Sequence, residues 1–152
     1  MRTEPIENGT DLSSRVPAVL PRHQGQFWGG QWHASAQAEI LPSINPSTGE
    51  VLANVQVASA TDVDAAVKSA RQAFPGWATT PPLERARRLR EAAARIRAHA
   101  VDLALLDAAD CGNPVKAMVF DAEIAATQLE FFAGLVLEIK GETLPTGNGS
   151  LN

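Results

Sequence analysis

The stretch from Pro82 to Lys140 reads PLERARRLREAAARIRAHAVDLALLDAADCGNPVKAMVFDAEIAATQLEFFAGLVLEIK, two helical patterns joined at Asp110-Cys111-Gly112-Asn113-Pro114. In the first pattern Leu83, Ala86, Leu89, Ala93, Ile96, Ala100, Leu103 and Leu106 recur at steps of three and four, the spacing of one helix face. Glu84, Arg85, Arg87, Arg88, Arg90, Glu91, Arg95 and Arg97 occupy the other side, which is expected to face water. From Leu103 to Ala109 polar residues thin out, so that end is expected to be buried nearly all round. Gly112 suits the left-handed turn that ends many helices, and Pro114 can stand in the first turn of the next. The second pattern carries two apolar rows, Ala117, Phe120, Ile124, Phe131, Leu135 and Met118, Ala122, Ala125, Leu129, Phe132, Val136, Ile139. Helices over about 82–110 and 114–140 follow, each on the order of 40 Å long. A helix with two apolar sides needs neighbours on both.

Working outward, residues 1–24 carry Pro5, Pro17 and Pro21 without periodicity and read as a loose arm, docked at its Val19-Leu20 end. Gly29-Gly30 between Gln26-Phe27-Trp28 and Gln31-Trp32-His33 suits a hairpin turn with positive φ. Ala38 to Ile44 and Val51 to Val57 flank Asn45-Pro46-Ser47-Thr48-Gly49, another turn. Alternation of Val51, Ala53, Val55 and Val57 predicts a strand with one buried face, and strands within 26–57 are expected to form one small antiparallel sheet. A helix over about 62–74 follows from Val63, Ala66, Val67, Ala70 and Phe74, with Thr61 and Asp64 as its capping pair and Pro75-Gly76 as its end. Residues 141–152 form a Gly-rich end.

The chain has 152 residues, 45% of them apolar, and a net charge of −4, which fits one globular domain or a piece of a larger one. The Arg cluster at 85–97 is interleaved with acids and reads as a solvated face, so nucleic acid is not an expected partner. No apolar run approaches the roughly 20 residues of a membrane span. The first 24 residues lack the apolar core of a secretory signal and include Glu4, Glu7 and Asp11. A single cysteine permits no intrachain disulfide, so the expected location is cytoplasmic.

Cys111 is the obvious nucleophile to consider, and its position speaks against it. The negative end of a helix dipole and the adjacent Asp110 both disfavour a thiolate. His23, His33 and His99 have no companion at metal-ligand spacing, and no Gly-x-Gly-x-x-Gly turn or phosphate loop is present. Asp110 is more informative, because a carboxylate beside the unpaired carbonyls of a helix end can hold a hard cation. Ordinary C-terminal turn chemistry is the competing reading.

Several motifs in order resemble the amino-terminal portion of the NAD(P)-dependent aldehyde dehydrogenase superfamily. They are Gly29-Gly30-Gln31-Trp32, Ile44-Asn45-Pro46-Ser47-Thr48-Gly49-Glu50, Asp62-Val63-Asp64-Ala65-Ala66-Val67, Ala70-Arg71-Gln72-Ala73-Phe74 with Trp77, Glu84-Arg85-Ala86-Arg87-Arg88-Leu89, Asp110-Cys111-Gly112-Asn113-Pro114, Phe131-Phe132-Ala133-Gly134 and Gly141-Glu142-Thr143-Leu144-Pro145. The resemblance implies an α/β family with a Rossmann-like cofactor domain, of which this portion is α+β: small antiparallel strands followed by three helices, two of them long. It implies residues 25–140 as the N-terminal part of the cofactor-binding domain, with 141–152 starting a truncated linker toward an oligomerisation hairpin.

The implied reaction is oxidation of an aldehyde to a carboxylic acid through a cysteine thiohemiacetal, with hydride passing to NAD or NADP and a glutamate assisting hydrolysis. In the family those groups come later than residue 152, and Cys111 matches none of them, so the chain is expected to be a fragment inactive alone. The resemblance implies a sodium or potassium ion held at Ile44 and Asp110, with Ser43 beside them, and a substrate-tunnel wall including Phe120 and Ile124. Asn113 departs from the lysine usual in the family. Implied partners are the remainder of the aldehyde dehydrogenase chain, an aldehyde substrate and further copies in a homo-oligomer. The alternative from another class is a noncatalytic helical module that self-associates or binds a partner through its two-sided helix.

Overall fold

The computed structural model describes residues 12–35 and 39–142. A 3₁₀ turn, Ser13–Arg15, leads into α1, Val16–Val19, so this part of the expected loose arm is helical. It lies against the later helix α4 (Ala100–Cys111), where Arg15 Nη2 is 3.3 Å from Asp102 Oδ1, and Val19 and Leu20 are half-buried. Residues 143–152, which include most of the Gly-rich end, lie outside the described residues.

Strands β1, Gln26–Trp28, and β2, Gln31–His33, pair antiparallel around Gly29 (φ +61) and Gly30 (φ +79). Both turn residues need the left-handed region, which glycine enters without the Cβ clash. Strands β3, Ile40–Ile44, and β4, Val51–Gln56, form a second two-stranded sheet with a register shift between Ser43 and Ile44. The expected single sheet is therefore two hairpins. The Gln56 N–H donates to the Gln24 carbonyl at 2.9 Å and Gln26 Nε2 to the Gln56 carbonyl at 3.0 Å, linking them without extending a ladder. The expected buried face of β4 is also corrected, because Val51 and Val55, with their cross-strand neighbours Ile44 and Leu41, are exposed.

Helix α2 spans Ala60–Thr79, longer at both ends than the periodicity predicted. Its cap is Ser59, whose hydroxyl accepts from the Asp62 N–H at 3.2 Å while the Asp62 carboxylate accepts the Ser59 N–H at 2.8 Å. This displaces the expected Thr61–Asp64 pair two residues toward the N-terminus. Pro75 lies inside the helix and does not end it. Near its end Thr79 Oγ1 donates to the Pro75 carbonyl at 3.0 Å, Thr80 Oγ1 to that of Gly76 at 2.8 Å, and the Thr80 N–H to that of Trp77 at 3.1 Å. α2 buries none of its residues, and Val63, Val67 and Phe74, its predicted inner face, are exposed.

The predicted rod over 82–110 is two helices, α3 (Pro82–Ala98) and α4 (Ala100–Cys111), broken at His99 (φ −115, ψ 16). No glycine or proline marks that break. Both halves pack on α5, Val115–Gly134, and crossing rods stay in contact over their whole length only if one of them bends. α5 itself stops at Gly134, short of the predicted Lys140, and tightens into a 3₁₀ turn at Leu135–Leu137.

The core is made largely of alanine: Ala86, Ala93, Ala104, Ala109, Ala122, Ala126 and Ala133 are buried, with Leu105. Small side chains let the helix backbones approach closely. Leu83, predicted as core, is 64% exposed, and Leu103, in the first turn of α4, is exposed too, so the stretch expected to be buried nearly all round is enclosed only on the side of Ala104, Leu105 and Ala109. On α5 the buried residues Ala122, Ala126 and Ala133, with half-buried Leu129, make up the covered side, which cuts across both predicted rows: Phe120 and Phe131 of the first and Phe132 and Ile139 of the second are exposed, and Ala126 and Ala133 belonged to neither. No helix among the described residues is long and apolar enough to cross a membrane.

Candidate functional site

Two stretches distant in sequence meet where α4 ends beside the β3–β4 hairpin. Gly112 takes φ +76 and its N–H donates to the Ala108 carbonyl at 2.9 Å, the left-handed close of α4. A Cβ on Gly112 would stand 3.0 Å from Pro46 Cγ, so glycine also lets the helix end approach the Asn45-Pro46 turn. Two residues before that turn, Ser43 Oγ donates to Asp110 Oδ1 at 2.5 Å. Ile44 follows immediately, at the register shift of β3.

Asp110 makes no ion pair among the described residues; it accepts instead from the neutral Ser43 hydroxyl. A carboxylate so placed, near a departure from regular strand pairing, fits a single hard positive charge. Among the described residues there is no group of three or more His, Cys, Asp or Glu side chains that could hold a metal ion. A monovalent cation here would therefore draw on backbone and hydroxyl oxygen. A groove of about 620 Å³ runs beside this junction, walled by Leu20, Trp32, Leu52 and Leu106, with Asp107 and Asp110 at its polar side.

Cys111 is exposed, and its thiol pKa is raised. The main cause is the hydrogen bond to Asp107, then desolvation, then the charges of Asp107 and Asp110. All of these stabilise the thiol over the thiolate, as the helix-end position suggested. The three histidines have different partners: His23 stacks on Trp32 (centroids 4.7 Å), His33 on Trp28 (3.5 Å), and His99 approaches Asp102 (3.8 Å); His23 and His33 line one groove. Gly29-Gly30 is a hairpin turn, so it forms no strand-to-helix cradle for a dinucleotide pyrophosphate.

Phe120 and Ile124 project from the side of α5 that α3 and α4 leave uncovered. On the adjoining side the guanidinium of Arg97, from α3, meets Glu123 Oε1 at 2.8 Å and Glu130 Oε1 at 2.6 Å, with Thr127 Oγ1 at 3.4 Å. Reading Arg97 as part of a solvated face missed this. The signal was available in Glu123, Thr127 and Glu130, whose spacing of four and three places them in one stripe.

The sequence profile of the "Aldehyde dehydrogenase family" matches residues 32–152. The chain is 45% identical over 130 residues to aldehyde dehydrogenase tropH of Talaromyces stipitatus, covering 86% of this chain and 25% of the fungal protein. It is 44% identical over 108 residues to a betaine aldehyde dehydrogenase of Cereibacter sphaeroides, covering 70% of this chain and 22% of that one. Among solved structures, a mutant aldehyde dehydrogenase from Bacillus cereus superposes with TM-score 0.84 at 32% identity, over 93% of this chain and 30% of its own. Betaine aldehyde dehydrogenase from Staphylococcus aureus in complex with NAD+ superposes with TM-score 0.83 at 27% identity, over 90% of this chain and 28% of its own. The chain thus spans about a quarter of the length of the curated relatives it matches.

Proposed function

Because the chain belongs to the aldehyde dehydrogenase family, we propose that it forms the N-terminal part of an enzyme oxidising an aldehyde to a carboxylic acid with NAD or NADP. In such an enzyme these residues supply framework, a cation ligand and part of the substrate wall, and the 152-residue chain alone does not turn over aldehydes. The observation that carries this reading is the junction of the two motif stretches, with Ser43 on Asp110 and Gly112 against Pro46. Asp110, Ser43 and the backbone at Ile44 would hold a sodium or potassium ion, whose charge would tie β3 to the end of α4. Residues 25–140 belong on this reading to the cofactor-binding domain. Phe120 and Ile124 would line the aldehyde's path. The enzyme would be a cytoplasmic homo-oligomer.

Inactivity of the isolated chain is supported by its only thiol, at Cys111, being held protonated. The test is a chimera in which this chain replaces the matching quarter of the fungal relative. NAD-dependent aldehyde oxidation by the chimera is the expected result. A folded chimera without turnover overturns the family activity, and turnover by the purified 152-residue chain overturns its assignment as noncatalytic. The exposure of Phe120, Phe131 and Phe132 favours a second reading, a helical module that self-associates. Sedimentation showing a monodisperse monomer that binds no hydrophobic dye dismisses it.

A further inference from the structure

We propose that Arg97 is a positioning residue, which sets the rotation and register of α5 on α3 and thereby aims the Phe120, Ile124 and Phe131 row away from the core. The importance of that row rests on the substrate-wall reading above; the clamp itself does not.

The contact between α3 and α5 brings small side chains together: Ala86 and Ala93 on one helix are fully buried, as are Ala126 and Ala133 on the other, with Ala122 nearly so. Helix crossings are usually specified by large side chains seated between those of the neighbour. Alanine against alanine allows close approach but offers few such knobs, so rotation and sliding of α5 are weakly determined by packing. Arg97 supplies what the alanines lack. Its Nε donates to both oxygens of Glu123, at 2.8 and 3.0 Å, while Nη1 and Nη2 donate to the two oxygens of Glu130 at 2.6 and 2.9 Å.

The two carboxylates are seven residues apart on α5, so one planar guanidinium spans two helical turns. Paired donors of fixed geometry constrain direction as well as distance. Glu123 precedes Ile124 and Glu130 precedes Phe131, so the clamped stripe and the apolar row are neighbours about 100° apart around the helix. Holding one stripe on Arg97 therefore fixes where the other points. Ion pairs that remain partly exposed contribute little to global stability, so orientation is the larger consequence.

The experiment uses the 152-residue chain with Cys111→Ser and spin labels on Ala94→Cys of α3 and Gln128→Cys of α5, read by double electron–electron resonance. With Arg97 present one narrow distance peak is expected. In Arg97→Gln the peak should broaden, or move by roughly 1.5 to 5 Å, the rise of one residue to one turn. Arg97→Lys should not restore the narrow peak, because a single ammonium cannot fork across both carboxylates. A pair that merely stabilises would lower the melting temperature and leave the peak in place; that result overturns the proposal. Should Arg97→Gln fail to fold, Glu130→Gln removes half the clamp, and an unchanged peak there overturns it equally. No aldehyde enters the measurement, so its failure is distinguishable from failure of the family activity.

Discussion

At Cys111 the surroundings act on one sulfur in one direction. The Asp107 hydrogen bond, desolvation and two nearby carboxylates all favour the protonated form. The thiolate fraction at any pH below the raised value is smaller than that of a free cysteine, so labelling by a disulfide reagent at pH 8 should be slower than labelling of a small thiol. Asp107→Asn removes the largest cause and should accelerate it; equal rates in both proteins would contradict the assignment. Ser59 acts through its hydroxyl at the start of α2, where it closes a reciprocal cap with Asp62. Ser59→Ala should cost about 1 kcal/mol, seen as earlier hydrogen exchange across the first turn of α2 while α3 to α5 keep their protection. The capping pair is an instance where composition was legible and position was not. Thr61–Asp64 and Ser59–Asp62 have equal spacing, and the choice depended on Ser35, whose hydroxyl donates to Asp62 at 2.6 Å from 27 residues away.

At the scale of elements, helix α2 and the α3–α5 pair share a dependence on ionised carboxylates. Asp62 lies below its ordinary value of 3.8, first because of the Ser35 hydrogen bond and then those of Ser59. Glu130 lies below its ordinary 4.5, first because of the Arg97 hydrogen bond, and Glu84 is lowered chiefly by Arg87. In each case the folded pKa is depressed, so the contribution is fully present above the ordinary value and is lost as pH falls through the folded one. Helicity and exchange protection should therefore hold from pH 7 to about 5 and decline below roughly 4, first in α2, which has no buried residue to retain it. An acid response confined to α4 would contradict this. The helices themselves were legible from their periodicity, whereas the bend at His99 was not, because the pattern of threes and fours continues through it. Both halves of the rod remain packed on α5 across the bend.

For the molecule as a whole, the described core is mostly alanine, and large apolar side chains such as Phe120, Phe131, Phe132, Ile139 and Leu83 lie outside it. A solution of the chain should consequently associate or bind a hydrophobic dye. Replacing Phe120 and Phe131 by serine should reduce that binding while moving the unfolding free energy by no more than about 0.5 kcal/mol per site, as expected of exposed positions. A large loss of stability would mean that these rings are enclosed in solution. The sequence profile and the superposed enzymes agree with this picture in extent, since the matched stretches are about a quarter of the relatives' length and the match covers most of this chain.

From sequence alone came the helical periods, the stop and restart at Gly112-Pro114, the Gly29-Gly30 hairpin, the family motifs and the unsuitability of Cys111 as a nucleophile. Each is local: a backbone region, a face shared at fixed spacing, or a charge one residue away. Tertiary structure alone decided which side of α5 is covered, where the long rod bends, that the Ser43 hydroxyl donates to Asp110 where the family resemblance implied only that they lie together, and that Arg97 leaves its solvated face to grip two glutamates. Those depend on partners 26 to 67 residues apart, and an apolar or charged side chain carries no mark of which distant neighbour will reach it.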